Sequence, residues 1–344
     1  MEIIYREMQD TFNALEKTAA YLEEKWEGIE AFLRDKKRFV FVGCGSSLSV
    51  AKSMAVICNM SSGIPASAMA AGDILLHAER YKKAVDGSAV VVVSRSGKTS
   101  ELILAIDALR QHGCAISVAA LVCAEDTPLG AKSDFVLSTP WAFDESICQT
   151  RCVTNFYFMA AYISAKITRD HTALEDLRHI TQAGPEYMRK AEELAKVIAP
   201  RPWTHAAVLA DAELEGIAEE GSLVFKEVCQ LPSNYYHVLD VRHGPMVLVG
   251  EKTLLLAALG GTPPRDLESG LLGDVKAKGA EVVAFSDIPA QQEGVTFSCF
   301  GRPLSHVARG IPFIILCQMI AYYKSKETNV DPDNPAGLDA WISL

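Results

Sequence analysis

The chain repeats itself at long range. Slid along its own length by 166 positions, the second half reproduces the pattern of the first, though not its residues. FVFV at 39–42 lies over HAAV at 205–208, and the helical runs TSELILAIDALRQHG and RDLESGLLGDVKAKG end on Gly113 and Gly279. Glycine there suits a helix C-terminus that needs positive φ. AVVVV at 89–93 and TLLLAA at 253–258 are unbroken apolar runs, as expected of strands buried on both faces of a parallel sheet. AISVAAL and EVVAFSD follow as further strands. Strand, turn, helix, glycine, strand, written twice, predicts an α/β fold of two doubly wound parallel-sheet units in tandem, each a three-layer αβα sandwich. Right-handed crossovers then place ligands at the C-terminal ends of the strands.

Ahead of the first unit, Ile4, Met8, Leu15, Ala19, Leu22, Trp26, Ile29 and Leu33 recur at three- and four-residue spacing. They predict one long amphipathic helix within residues 1–35, weakest at Gly28 and packed on the core or on another subunit. A helical stretch interrupted by Gly184-Pro185, then Pro200 and Pro202, places the boundary between units near residue 195, giving 36–195 and 196–344 with a C-terminal tail.

A net charge of −10 with scattered basic residues argues against a nucleic-acid surface. Nine cysteines without disulfide spacing, and an acidic N-terminus without a signal-peptide pattern, lead to the expectation of a reduced, cytoplasmic protein. The longest apolar run, Ile311 to Tyr323, is broken by Pro312 and Gln318 and is shorter than the roughly 20 residues a membrane span needs, so it reads as a buried helix. Cys148 and Cys152 stand a helical turn apart, with His205, Cys229 and His237 scattered, and none has paired zinc-site spacing. Neither metal nor other cofactor is expected. Cys44 reads as a small residue under a turn, with no catalytic role.

The turns should therefore carry the chemistry. After the first strand comes GCGSS, in which Gly43 and Gly45 imitate a dinucleotide fingerprint whose third glycine would fall at Leu48. The motif fails there. Ser46 and Ser47 instead offer hydroxyls beside backbone N–H groups at a helix N-terminus, which suits a phosphate monoester. The next turn, SRSGKTSE, supplies Ser94, Ser96 and Thr99 around Gly97, on a strand expected beside the first. Ser96 or Thr99 can equally cap the following helix, but two hydroxyl-rich turns on paired strands favour one shared phosphate site. The corresponding second-unit turns, LADAEL and ALGGTPPR, lack the serines, so only the first unit is expected to bind phosphate.

GCGSS, SRSGKTSE, DESICQTRCVTN, EEGSLVFKE, VRHGP and YKSKETNVDPDNP, in this order and spacing, resemble the tandem sugar isomerase (SIS) domain family over nearly the whole chain. The pattern is similar to the isomerase half of glucosamine-6-phosphate synthase and to fructosamine-6-phosphate deglycases. The resemblance implies that Gly45, Ser46, Ser47, Ser94, Ser96, Gly97 and Thr99 hold a sugar phosphate. It implies that the segment from Glu145 through Gln149 to Thr154 closes over the sugar. Arg95 and Lys98 put two cations in the phosphate turn, aimed at the anion or at solvent.

Aldose–ketose chemistry needs a carboxylate poised over two neighbouring carbons and an acid at the ring oxygen. Glu227, on a helix face with Glu220 and Val224, and His243, before Gly244-Pro245, are the candidates. The plain alternatives are a solvated helix glutamate and a loop histidine. In the resembling family a glutamate moves the C1/C2 proton and a histidine sixteen positions on opens the ring, often in the partner subunit of a homodimer; the same spacing separates Glu227 from His243. The glutamine-hydrolysing half of the synthases has no match, and their Schiff-base lysine has no counterpart after Lys326. The resemblance thus implies a fructosamine or amino-sugar 6-phosphate deglycase or deaminase, with a plain phosphosugar isomerase and a non-catalytic phosphosugar-binding regulator as alternatives.

Overall fold

The computed structural model describes residues 1–261, 265–339 and 344. Thr262–Pro264 of the ALGGTPPR turn and residues 340–343 of the tail lie outside them. The N-terminal segment forms three helices, α1 (Ile3–Gln9), α2 (Thr11–Glu24) and α3 (Trp26–Leu33), rather than one. The breaks fall at Asp10 and Lys25, not at Gly28. A single straight stripe cannot follow the curved surface beneath it, and short helices bend round the core with Ile4, Met8, Phe12, Leu15 and Leu22 buried.

The first sheet comprises β1 (Phe39–Gly43), β2 (Ala66–Ala70), β3 (Ala89–Ser94), β4 (Ser117–Val122) and β5 (Phe135–Ser138). Its order is β2-β1-β3-β4-β5 with every pairing parallel. Between the strands run α4 (Ser46–Ser62), α5 (Ala71–Leu76), α6 (Ala78–Val85), α7 (Ser100–Gln111) and α8 (Pro128–Ala131). Two helices then connect the halves, α9 (Arg151–Thr168) and α10 (His171–Ile198). Contrary to the expected break, α10 runs unbroken through Gly184-Pro185 for 28 residues. Gly184 lies against Phe12, where an added Cβ would meet the ring at 2.0 Å, so α2 packs along the Gly-Pro step and holds the helix together.

The second sheet comprises β6 (His205–Leu209), β7 (Ser233–Tyr236), β8 (Thr253–Ala258), β9 (Glu281–Ser286) and β10 (Thr296–Cys299), ordered β10-β9-β8-β6-β7. In chain order this repeats the first topology. Its helices are α11 (Glu215–Val228), α12 (Asp266–Ala277) and α13 (Gly310–Thr328). α7 and α12 start 166 residues apart, whereas β3 and β8 end 164 apart, so the turn between is two residues longer in the second unit. Gly113 and Gly279 take φ of +72° and +86°. The run from Ile311 to Tyr323 lies within α13, buried almost throughout. Among the described residues no helix is long and apolar enough to cross a membrane.

One large apolar core lies between the two sheets and contains residues of α2, α4, α9, α10, α11 and α13. The outer faces carry smaller cores of their own. The halves meet most closely where α4 and α11 cross. At Gly216 an added Cβ would strike the Ser49 carbonyl at 2.0 Å, and the Ile217 N–H donates to Ser53 Oγ at 3.0 Å. Only glycine allows that backbone approach.

Candidate active site

The crossing sets the site. Passing along α11 from Gly216, which faces Ser49 and Ser53, to Glu220, which faces Ser46, moves back along α4 toward its N-terminus. Glu227 lies two turns further on, in the region of the first unit's turns.

At those turns β1 ends at Gly43, Gly45 takes φ of +52°, and α4 begins at Ser46 with Ser46 and Ser47 buried. β3 pairs directly with β1 and ends at Ser94. Ser94 Oγ accepts the Gly97 N–H at 3.1 Å and lies 3.1 Å from Thr99 Oγ1, while Ser96 Oγ accepts the Lys98 N–H at 3.2 Å. Thr99 stands at the N-cap position of α7 without a capping side-chain bond. Its hydroxyl turns toward Ser94, not toward the helix. Gly97, at φ +62°, packs so closely on Thr127 that a Cβ would lie 2.5 Å from it, which pins the turn against the next loop. Parallel pairing of β1 and β3 thus brings Ser46, Ser47, Ser94, Ser96 and Thr99 to one end of one sheet.

The two cations of the turn separate. Lys98 is exposed. Arg95 is buried and donates to the carbonyls of Ser146 and Ile147 at 2.6 and 3.2 Å, with its guanidinium 5.9 Å from the Phe143 ring centre. It therefore ties the turn after β3 to the loop at 144–150. In that loop Glu145 is exposed, and Gln149 Oε1 accepts from Cys152 Sγ at 3.1 Å. Cys44 has its thiol pushed up to about 11 by burial, so it carries no thiolate at neutral pH.

Glu227 is half-buried, and burial raises its carboxyl to about 7 against the pull of Arg95 and Lys226. Glu220 is fully buried, and neither carboxylate oxygen has a hydrogen-bond partner among the described residues. Burial, and then the charge of Glu227, hold it well above the carboxylate range; the Ser46 hydroxyl faces it without closing a bond of normal geometry. Two carboxyls raised by burial therefore line the seam beside the hydroxyl turns, Glu220 held well above the carboxylate range and Glu227 poised near neutrality. The sequence shows Glu220 only as a neighbour on the helix face; its burial comes from the crossing at Gly216, which no local pattern reveals.

His243 lies elsewhere. α11 begins at Glu215, 3.9 Å from His237 across an ion pair, and Glu227 is roughly 18 Å further along the helix axis. Beyond His237 the chain turns to the outer face of the second sheet, where Val241 joins the core of α12 and Arg242 pairs with Asp274 at 2.6 Å. His243 is exposed, as are Val247 and Leu248 just after it at 82% and 62%, and Leu267, 66% exposed, whose carbonyl accepts from the neighbouring Arg242 at 3.5 Å. Among the described residues no hydrogen bond or ion pair joins His243 to Glu227, and Val241 beside the one and Val228 beside the other belong to different cores.

The second unit fills its corresponding turn from within. The buried Glu268 accepts the Gly260 N–H at 2.6 Å and the Arg265 N–H at 2.9 Å, so a carboxylate of the protein occupies donors that could otherwise meet an anion. Among the described residues no group of His, Cys, Asp and Glu is arranged to hold a metal ion.

Residues 32–164 match the SIS domain. Over 98% of its length the chain is 26% identical to a glutamine–fructose-6-phosphate aminotransferase (isomerizing) of Pyrobaculum aerophilum, of which it spans 57%. It is 26% identical over 313 residues to D-galactosamine-6-phosphate deaminase of a Shewanella, covering 87% of this chain and 77% of the relative. The crystal structure of a glucosamine-6-phosphate deaminase from Thermotoga maritima superposes with a TM-score of 0.80 at 22% identity, covering 99% of this chain and 100% of that one. That likeness is one of fold. With its two five-stranded parallel sheets the protein has a two-subdomain α/β fold similar to those of solved sugar-phosphate deaminase and isomerase structures, and its residues 32–164 are similar to the SIS domain.

Proposed function

We propose that the protein is an amino-sugar 6-phosphate deaminase working through aldose–ketose proton transfer. The observation that carries this reading is Glu227, a carboxyl held at about 7 beside Arg95, where the hydroxyl-lined turns of β1 and β3 open. A carboxyl that titrates near neutrality both takes and returns a proton with little loss in either direction.

The phosphate sits against the N-terminus of α4 at Gly45, Ser46 and Ser47 and among Ser94, Ser96, Gly97 and Thr99. Glu227 removes the proton at C2 of the opened 2-amino aldose and delivers it to C1. This yields a 2-imino ketose, which water hydrolyses to the ketose phosphate and ammonia. The nitrogen leaves on the substrate, so no lysine imine is required. Lys326 pairs with Glu2, and Lys324 is buried on the carbonyls of Ala199 and Arg201, so neither reaches Glu227. The similarity to a galactosamine-6-phosphate deaminase supports the amino-sugar choice over a deglycase.

Ring opening falls to His243 of a second copy. The exposed apolar side chains of Val247 and Leu248 near it in the chain support a homodimer contact that would carry it to a partner's site. A non-catalytic sensor would not need the raised carboxyl.

The test is ammonia release from glucosamine 6-phosphate and galactosamine 6-phosphate by the wild type and by Glu227→Gln. Turnover in the variant should fall by about 10² to 10⁴ with sugar-phosphate binding retained. Wild-type turnover of neither substrate, or full activity in Glu227→Gln, would overturn the reading.

A further inference from the structure

We propose that Glu7 is a positioning residue for this site: from the terminal helix α1, it holds the loop at 144–150 in the form that anchors Arg95 beside Glu227. The inference rests on the function proposed above.

Glu7 is 5% exposed, on a helix of only seven residues. Its carboxylate accepts the Glu145 N–H at 2.5 Å, the Ser146 N–H at 3.3 Å and the Ser146 hydroxyl. The Ser146 and Ile147 carbonyls in turn accept from Arg95. The same loop is held at its far side by Asp144, whose Oδ2 accepts the Thr150 and Cys152 N–H groups at 2.8 and 3.0 Å. α1 is itself fastened: Asp333 of the tail accepts the Ile3 and Ile4 N–H groups at 2.7 and 2.8 Å, and Asp10 just beyond the helix pairs with Arg151 at 2.6 Å.

A carboxylate accepts from all three donors without presenting one of its own, whereas an amide offers the two N–H groups a weaker, neutral oxygen and turns its own N–H toward the Ser146 hydroxyl, which also donates to the Cys148 carbonyl at 2.9 Å. Burial, and then the buried Asp144 nearby, push the Glu7 carboxyl up, so its ionised form is costly here, and the Glu145 and Ser146 N–H groups offset part of that cost. The cost is placed where it fixes Ser146, the residue whose carbonyl receives Arg95. Arg95 is the cation that acts most strongly on Glu227. A residue of the N-terminal helix thus fixes the loop whose carbonyls hold Arg95.

The experiment compares wild type, Glu7→Gln and Ser146→Ala, with Leu22→Ala, a buried change on α2, as a control of similar lost stability. Amide hydrogen exchange across 144–150 is read without ligand. Affinities for glucosamine 6-phosphate and for inorganic phosphate are read by calorimetry. Glu7→Gln should speed exchange at Glu145 and Ser146 by about tenfold or more, since a neutral amide oxygen holds their N–H groups more weakly than a carboxylate does. It should weaken glucosamine 6-phosphate at least about tenfold while inorganic phosphate changes less than about threefold, because the hydroxyl turns are untouched. Ser146→Ala, losing one donor, should move both in the same direction by less, and Leu22→Ala should move neither. Unchanged exchange in Glu7→Gln, or faster exchange with unchanged sugar-phosphate affinity, would overturn the proposal. Should Glu7→Gln fail to fold, the same two readings on Ser146→Ala decide it. Failure of the wild type to bind or turn over any hexose phosphate would instead overturn the function itself, while exchange still reports whether Glu7 holds the loop.

Discussion

Arg95 and Glu227 come from different halves of the chain, and the guanidinium of one opposes the burial that raises the carboxyl of the other. Arg95 is held by the Ser146 and Ile147 carbonyls, and Glu227 by a helix whose path is set at Gly216. The proposed base is therefore tuned by a charge that reaches it only when both halves are docked.

The first consequence is a pH profile. A base works ionised, so kcat should rise with pH through about 7, the value at which burial holds Glu227. Arg95→Met removes the opposing cation and should move that limb to higher pH. The same proton is linked to stability: Glu227 ordinarily titrates at 4.5, so between 4.5 and about 7 the folded state binds more protons than the unfolded one. Its contribution is present below 4.5 and is lost as pH rises through 7. Denaturant unfolding at pH 5 and pH 8 should show a smaller decline for Glu227→Gln than for wild type.

The hydroxyl turns give a second expectation. Ser47→Ala with Thr99→Ala should cost roughly 2 to 4 kcal/mol of hexose 6-phosphate affinity if two charge-assisted bonds are lost. Ser94→Ala should behave differently, because Ser94 Oγ holds the Gly97 N–H and so shapes the turn. It should lower thermal stability as well as affinity. Calorimetry beside a melting curve separates the two.

In the second unit, Glu268→Ala leaves the N–H groups of Gly260 and Arg265 without their acceptor. Unfolding free energy should drop by about 1 to 3 kcal/mol. Sugar-phosphate affinity should stay as in wild type, since the phosphate is assigned to the first unit alone. A change in that affinity would show that this turn also takes part in binding.

Mixing subunits tests the assignment of His243. Glu227→Gln and His243→Ala homodimers should each be nearly inactive, and exchange between them should restore part of the activity by forming one site with both wild-type residues. Light scattering should give twice the chain mass at working concentrations. A monomeric active protein would remove the shared site.

Much of the fold was legible in the residues because it rests on local periodicity. Unbroken apolar runs, amphipathic helices and glycines at helix ends specify β1, β3, β8, α7 and α12 within a few residues, and the two hydroxyl-rich turns stand out by composition. Local pattern also misled. It joined α1, α2 and α3 into one helix and broke α10 at Gly184-Pro185, because the curvature beneath the first and the packing of Phe12 on the second are tertiary facts. The sixteen-residue interval between Glu227 and His243 says nothing about the face of the second sheet near each: Val228 beside Glu227 joins the core between the sheets, and Val241 near His243 joins the outer one. Glu7 and Glu220 look like ordinary helix glutamates until docking buries them, one against the loop at 144–150 and the other against Ser46. Sequence alone determined the elements, since these follow from neighbours three or four positions apart. Burial, charge pairing and the titration of the candidate base were decided by the tertiary structure, since each depends on the low-dielectric seam that forms where two distant halves exclude water from the same carboxyls.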